Sequence, residues 1–110
     1  MKRGEVYRMA APLAERGDKP GYYVVVSRTF LADNVDVSTV ICAPIYSQAL
    51  GISTEVLVGP AEGLPRASAI RCDFLTLLFK HKLTKPVGEL SVATTAELDR
   101  ALSVALDLPA

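Results

Sequence analysis

A chain of 110 residues is one domain's worth, and 50% hydrophobic against 22% charged residues excludes a disordered tail. Twelve basic residues balance twelve acidic ones, so a uniformly basic nucleic-acid coat and an acidic solvating segment are excluded as well. A domain this long buries roughly two thirds of its unfolded surface, enough for a core without disulfides.

Glu5-Val6-Tyr7-Arg8-Met9-Ala10 opens the chain as a short strand, Val6 and Arg8 on one face, Tyr7 and Met9 on the other. A polar loop from Pro12 to Gly21 follows. Tyr22-Tyr23-Val24-Val25-Val26-Ser27 is β-branched and aromatic, the strongest strand signal present. Residues 30–36 are a connection with room for a helical turn. Thr39 to Ile45 is a second buried strand, in which Pro44 marks an end, a bulge or an edge. Glu55 to Val58 is a strand ended by Gly59-Pro60, and Gly63-Leu64-Pro65 is a turn. Ser68 to Leu78 holds one long strand or two short ones, Lys80 to Lys85 a polar turn, and Gly88-Glu89-Leu90 a last short strand. Then the period changes. Leu98, Leu102, Ala105 and Leu106 share one helical face, Thr94 and Glu97 form a capping box, and Pro109 is the stop. The expected fold is mainly β: a small antiparallel barrel closed by a C-terminal helix, one domain over residues 1–110.

Cys42 and Cys72 sit in apolar runs and read as buried free thiols, with a disulfide as the alternative; two isolated cysteines make no zinc site alone. His81 is the single histidine, in a Lys-His-Lys turn, and no phosphate-binding glycine loop or metal motif is present. The expectation is no metal and no cofactor. There is no 18-residue apolar span, and Lys2, Arg3, Glu5 and Arg8 leave no room for a signal peptide, so a soluble, cytoplasmic chain without membrane contact is expected.

Three groups of residues carry candidate chemistry. Arg71-x-Asp73 places a cation and a carboxylate on one face of a strand, with Ile70, Cys72 and Phe74 turned into the core. Such a pair can hold a phosphate and take a proton; an ordinary same-face salt bridge has the same spacing. Tyr46, Ser47 and Gln48 follow a strand end and can line a groove. Glu15, Arg16 and Lys19 lie in the loop before Tyr22 and Tyr23, a mixture that suits single-stranded nucleic acid or a plain solvated loop.

In order and spacing these segments resemble the MazF/PemK family of toxin endoribonucleases. The resemblance rests on Arg3-Gly4-Glu5-Val6-Tyr7, Tyr23 to Ser27, Thr39 to Ile45, Thr54-Glu55-Val56, Gly63-Leu64-Pro65, Cys72-Asp73, Lys82-Leu83, Gly88 to Ser91 and Leu98 to Leu102, and it covers nearly the whole chain. It implies an SH3-like barrel with a C-terminal helix, a homodimer, a cognate antitoxin, and metal-independent cleavage of single-stranded RNA by 2′-OH attack. By the same resemblance Asp73 is the base and Arg71 the phosphate stabiliser or the acid, stabiliser being the physically safer role because arginine is a poor proton donor at neutral pH. Two departures stand out. Where relatives carry Arg-Pro before the second strand, this chain has Gly21-Tyr22 or, with a shift, Lys19-Pro20. Where they carry a threonine it has Tyr46, which can donate a proton or stack a base, followed by Ser47, which can supply the missing hydroxyl, and Glu15 and Arg16 fall in the loop that gates RNA in the family. A weakened relative that only binds a partner is one alternative. A gyrase poison of the related CcdB branch is another, disfavoured because this chain has no tryptophan.

Net neutrality hides an uneven distribution. Residues 1–30 and 66–85 carry net +3 and +4, and residues 31–65 and 86–110 carry −4 and −3. A one-sided, salt-sensitive surface is expected from the two positive segments.

Overall fold

A computed structural model describes residues 1–9 and 21–109. Its elements in chain order are β1 (Glu5–Met9), β2 (Gly21–Val25), α1 (Thr29–Ala32), β3 (Thr39–Tyr46), β4 (Glu55–Val58), β5 (Ser68–Arg71), β6 (Thr76–Phe79), β7 (Lys85–Glu89) and α2 (Val92–Leu106). One 3-10 turn spans Pro60–Glu62 and another Lys80–Lys82. The strands form one curled antiparallel sheet in the order β4-β5-β3-β2-β1-β7, with β6 also on β3. The mainly β architecture with a C-terminal helix is as expected, and the Ser68 to Leu78 segment resolves into two short strands.

Strand alternation divides the core into two clusters. Val6, Val24, Ala43, Ile45, Val56 and Ile70 point to the face that α2 covers with Leu98, Ala101 and Leu102. Tyr7, Met9, Tyr23, Val25, Val40 and Cys42 point the other way, with Leu78 and Leu83. The predicted two-faced pattern of β1 is therefore present. Cys42 and Cys72 fall in different clusters, and both are free. Burial pushes the Cys42 thiol up to about 12 and the Cys72 thiol up to about 11. Since only the thiolate reacts, iodoacetamide at pH 8 is expected to leave both intact in the native protein and to label both in denaturant. Mass spectrometry after a timed exposure checks this; labelling of either cysteine without denaturant contradicts it.

β3 serves two neighbours in succession. Thr39 to Cys42 pair with β6, and Ile45 and Tyr46 pair with β5. Pro44 lies in the gap between these ladders. There a residue without an N–H interrupts nothing that is not already interrupted. Elsewhere backbone meets backbone without side chains between. A Cβ on Gly63 would strike the Val87 carbonyl, and one on Gly88 the Glu62 carbonyl. This close approach locks the Pro60–Glu62 turn against β7.

Two local expectations are corrected. Helix α2 begins at Val92, earlier than the Thr94–Glu97 box placed it: Ser91 is the N-cap, and its side chain accepts the Thr94 N–H at 3.1 Å. Its last helical residue is Leu106, followed by Asp107 in the left-handed region, so it ends before Pro109 is reached. Phe74 is not core but 44% exposed, because β5 ends at Arg71 and the turn at Cys72–Asp73 breaks the alternation that would have buried it. Among the described residues no helix is long and apolar enough to cross a membrane.

Candidate active site

The site forms where β3, β4 and β5 end together. Tyr46 pairs with Ala69, and Arg71, two residues further along β5, pairs with Glu55 of β4. Residues that pair across strands share a face, so Tyr46, Arg71 and Glu55 all lie on the side away from α2. The Arg71 guanidinium carbon stands 5.9 Å from the Tyr46 ring centroid, within cation–π range. Asp73 is on the turn that follows β5. Its two oxygens receive Arg71 Nε at 2.8 Å and Nη2 at 2.7 Å. This is the parallel two-bond geometry that only an arginine fork makes. The expected pairing is present, carried by a strand end and a turn instead of a continuous strand.

The fork fixes the protonation states. Its hydrogen bonds to Asp73 hold the carboxyl below the usual aspartate value and hold the guanidinium above the usual arginine value. Asp73 is thus an anion, and a weakly basic one, for as long as Arg71 grips it. The Arg71 side chain is 21% exposed and that of Asp73 34%, so both can be reached from solvent.

Glu55, which sequence patterning gave only as a strand start, is a third member. It is 7% exposed. Its carboxylate accepts the N–H groups of Leu50 (2.8 Å), Gly51 (2.7 Å) and Ile52 (3.1 Å). Gly51, at φ +78°, lets these three successive amides converge on one anion. Burial alone would push the Glu55 carboxyl up, but the amides and Arg71 outweigh it and leave it below the ordinary value. The 50–54 loop is also tied to α2, where Arg100 donates to the Ser53 carbonyl at 3.0 Å. Thr54-Glu55-Val56 is among the segments that carry the family resemblance, but no role for the Glu55 carboxylate follows from it.

Ser47 and Gln48 follow Tyr46 directly and are exposed. Glu15, Arg16 and Lys19 lie outside the described residues. The residues that bound that segment are placed, however: Met9 pairs with Gly21, and Tyr22 pairs with Ile45. Met9 and Gly21 therefore lie at the Tyr46 end of β3. Arg8 and Lys85, cross-strand partners on β1 and β7, are at the same end. Tyr23 is buried in one core cluster, so it is not a stacking surface, and Tyr22 is half-buried against the other cluster, on the opposite face. The positive segment 66–85 is divided by the fold. Arg71 is at the Tyr46 end, whereas Lys80 donates its backbone N–H to Ser38 and its Nζ to the Leu31 and Asn34 carbonyls, at the opposite end of β3. His81 is exposed there, 5.7 Å from the Phe79 ring.

The curled antiparallel sheet with a C-terminal helix is shared with the MazF toxins among solved structures. The chain matches the PemK-like, MazF-like toxins of type II toxin–antitoxin systems over residues 2–106, and it belongs to that family. Among solved structures it is similar to the toxin MazF-mt6 of Mycobacterium tuberculosis, at 26% identity and TM-score 0.82, over 98% of this chain and 100% of that one. A mycobacterial endoribonuclease in complex with its cognate antitoxin is 27% identical with TM-score 0.83, over 100% of this chain and 98% of that one. A MazE–MazF complex from Deinococcus radiodurans shares the fold at 18% identity and TM-score 0.77, over 99% and 97% of the two chains.

Proposed function

We propose that this toxin is an endoribonuclease that cuts single-stranded RNA at short sequences, without a metal ion. The observation that carries this is the Arg71–Asp73 fork beside Tyr46, open to solvent at one end of the sheet. Membership of the toxin family and the name of the mycobacterial relatives support it.

The chemistry follows from the fork. An RNA phosphate is itself a two-oxygen ligand for arginine, so it competes with Asp73 for Arg71. As the guanidinium turns to the phosphate, Asp73 loses the contacts that depress its basicity and becomes able to take the 2′-OH proton. The 2′ oxygen then bonds to phosphorus, Arg71 stabilises the charge of the phosphorane, and the bond to the 5′ oxygen breaks. That oxygen is protonated by Tyr46 or Ser47. The products are a 2′,3′-cyclic phosphate and a 5′-OH. Arginine stays out of proton transfer because it does not deprotonate in this range.

Arg71 faces two carboxylates, Asp73 and Glu55, so the described part of the site has no surplus positive charge. Attraction of the RNA backbone falls instead to Arg16 and Lys19, with Glu15 and Gln48 as further substrate contacts. A homodimer doubles this surface, and a cognate antitoxin with an acidic segment blocks it.

Purified protein incubated with a long RNA in EDTA is expected to leave cyclic-phosphate ends at recurrent short sequences. RNA that remains intact with and without added divalent ions overturns the reading.

A further inference from the structure

Glu55 is a charged group almost wholly removed from water, and the reaction just described does not use it. A loop clasp alone needs no charge, since a Gln oxygen accepts amide N–H groups as well. Yet this carboxylate is on the residue paired directly with Arg71, on the same face of the sheet. Its charge is felt by the guanidinium, and the guanidinium's charge is felt by it. Three neighbours thus answer Arg71 from three elements: Asp73 from the turn after β5, Tyr46 from β3 and Glu55 from β4. The Asp73 carboxylate also has the Thr54 hydroxyl beside it, from the loop that Glu55 clasps.

Their arrangement is unequal. Asp73 makes two short bonds to the fork, whereas the Glu55 oxygens are held by Leu50, Gly51 and Ile52. Glu55 therefore cannot swing over to replace Asp73. It acts on Arg71 as a fixed negative charge.

We propose that Glu55 is a positioning residue for the Arg71–Asp73 pair, a buried anion that offsets part of the Arg71 charge and so loosens the guanidinium's hold on both Asp73 and the RNA phosphate. The kinetic meaning of this rests on the nuclease reading above. With Glu55 in place, Asp73 is released readily as base and the cleaved product is not retained. Without its charge, Arg71 grips both anions harder.

The variant that separates charge from shape is Glu55→Gln, which keeps an oxygen for the loop amides. Two measurements read it. Carbon-13 NMR of the Asp73 carboxyl is expected to show its titration midpoint moved down, by about half a pH unit, relative to the unsubstituted protein. With single-stranded RNA as probe, kcat is expected to fall roughly fivefold while KM falls as well, a combination that marks tighter ground-state binding. A merely structural role gives a different pattern. Loosening the 50–52 loop relaxes the fork, leaves the Asp73 midpoint unmoved or raised, and raises KM. Either of those results overturns the proposal. If the unsubstituted protein cuts no RNA, the nuclease reading fails by itself, and the Asp73 midpoint still decides whether Glu55 sets the state of the pair.

Discussion

Asp73→Asn is expected to lower RNA cleavage about 10³-fold while leaving the fold intact. The amide keeps one oxygen for the Arg71 fork but cannot take the 2′-OH proton. Arg71→Ala is expected to cost a similar factor, because the phosphorane loses its fixed cation. Arg71→Lys recovers little of it, since an ammonium cannot make the two parallel bonds of 2.8 and 2.7 Å. Thermal unfolding should barely move in Asp73→Asn and Arg71→Lys, as a partly exposed ion pair contributes under about 1 kcal/mol, whereas Arg71→Ala also takes a cation away from the buried Glu55 carboxylate and is expected to lower the melting temperature. Rates are read from the appearance of cyclic-phosphate ends, and stability from circular dichroism. Undiminished cleavage by Asp73→Asn removes Asp73 as the base. The pH profile carries the same information. A folded-state pKa below the ordinary aspartate value keeps the base ionised down to acidic pH. On the acid side, kcat/KM is therefore expected to hold level down to about pH 5 and to decline only as the pH falls through the depressed pKa.

Gly88→Ala is expected to destabilise the protein by about 3 kcal/mol or more, or to prevent folding altogether. The added methyl would meet the Glu62 carbonyl, and Gly63→Ala would meet the Val87 carbonyl from the other side. Neither obstacle is a side chain that can rotate away. Gly63 carries a second penalty, because its φ of +92° disfavours any residue with a Cβ. Relief requires the Pro60–Glu62 turn to part from β7. For a domain of this size the loss corresponds to a fall in Tm of roughly 15 °C. A melting temperature within a few degrees of the parent would show that the two segments are not locked together.

How much of this was legible beforehand depended on whether the cause was local. The alternation in β1 and the periodic face of α2 depend on near neighbours in sequence; β1 shows its two faces as expected and Leu98 and Leu102 are buried, whereas Leu106, expected on the same helical face, is exposed and Ala101 is buried in its stead. The start of α2 was misplaced because Thr94 with Glu97, and Ser91 with Thr94, offer the same kind of hydroxyl at similar spacing. The exposed Val92 and Ala93 gave no apolar period to choose between them. Phe74 was assigned to the core by continuing a strand through a turn that only the pairing of β5 with β3 and β4 reveals. Pro44 announced an interruption, but its nature, a change of neighbour along one strand, involves residues far away in sequence. Arg71 and Asp73 were visible because their spacing is short. Glu55 was not, because its burial comes from a loop that folds back over it and from a partner on another strand.

The change of neighbour at Pro44 sets an order in which the molecule comes apart. β4 and β5 form a ribbon that joins the rest of the sheet through the Ile45–Ile70 and Tyr46–Ala69 pairs alone, whereas β1, β2 and β3 are zipped along their length. Thermal fluctuations that open a protein in parts take the weakest seam first. Here that seam runs between Tyr46 on one side and Glu55 and Arg71 on the other. Opening it would part Tyr46 from Glu55 and Arg71 while the central strands stay paired, so amide hydrogen exchange in β4 and β5 is expected to be faster than in β2. A phosphate group held between Arg71 and Tyr46 would span the seam, and its addition is expected to slow that exchange.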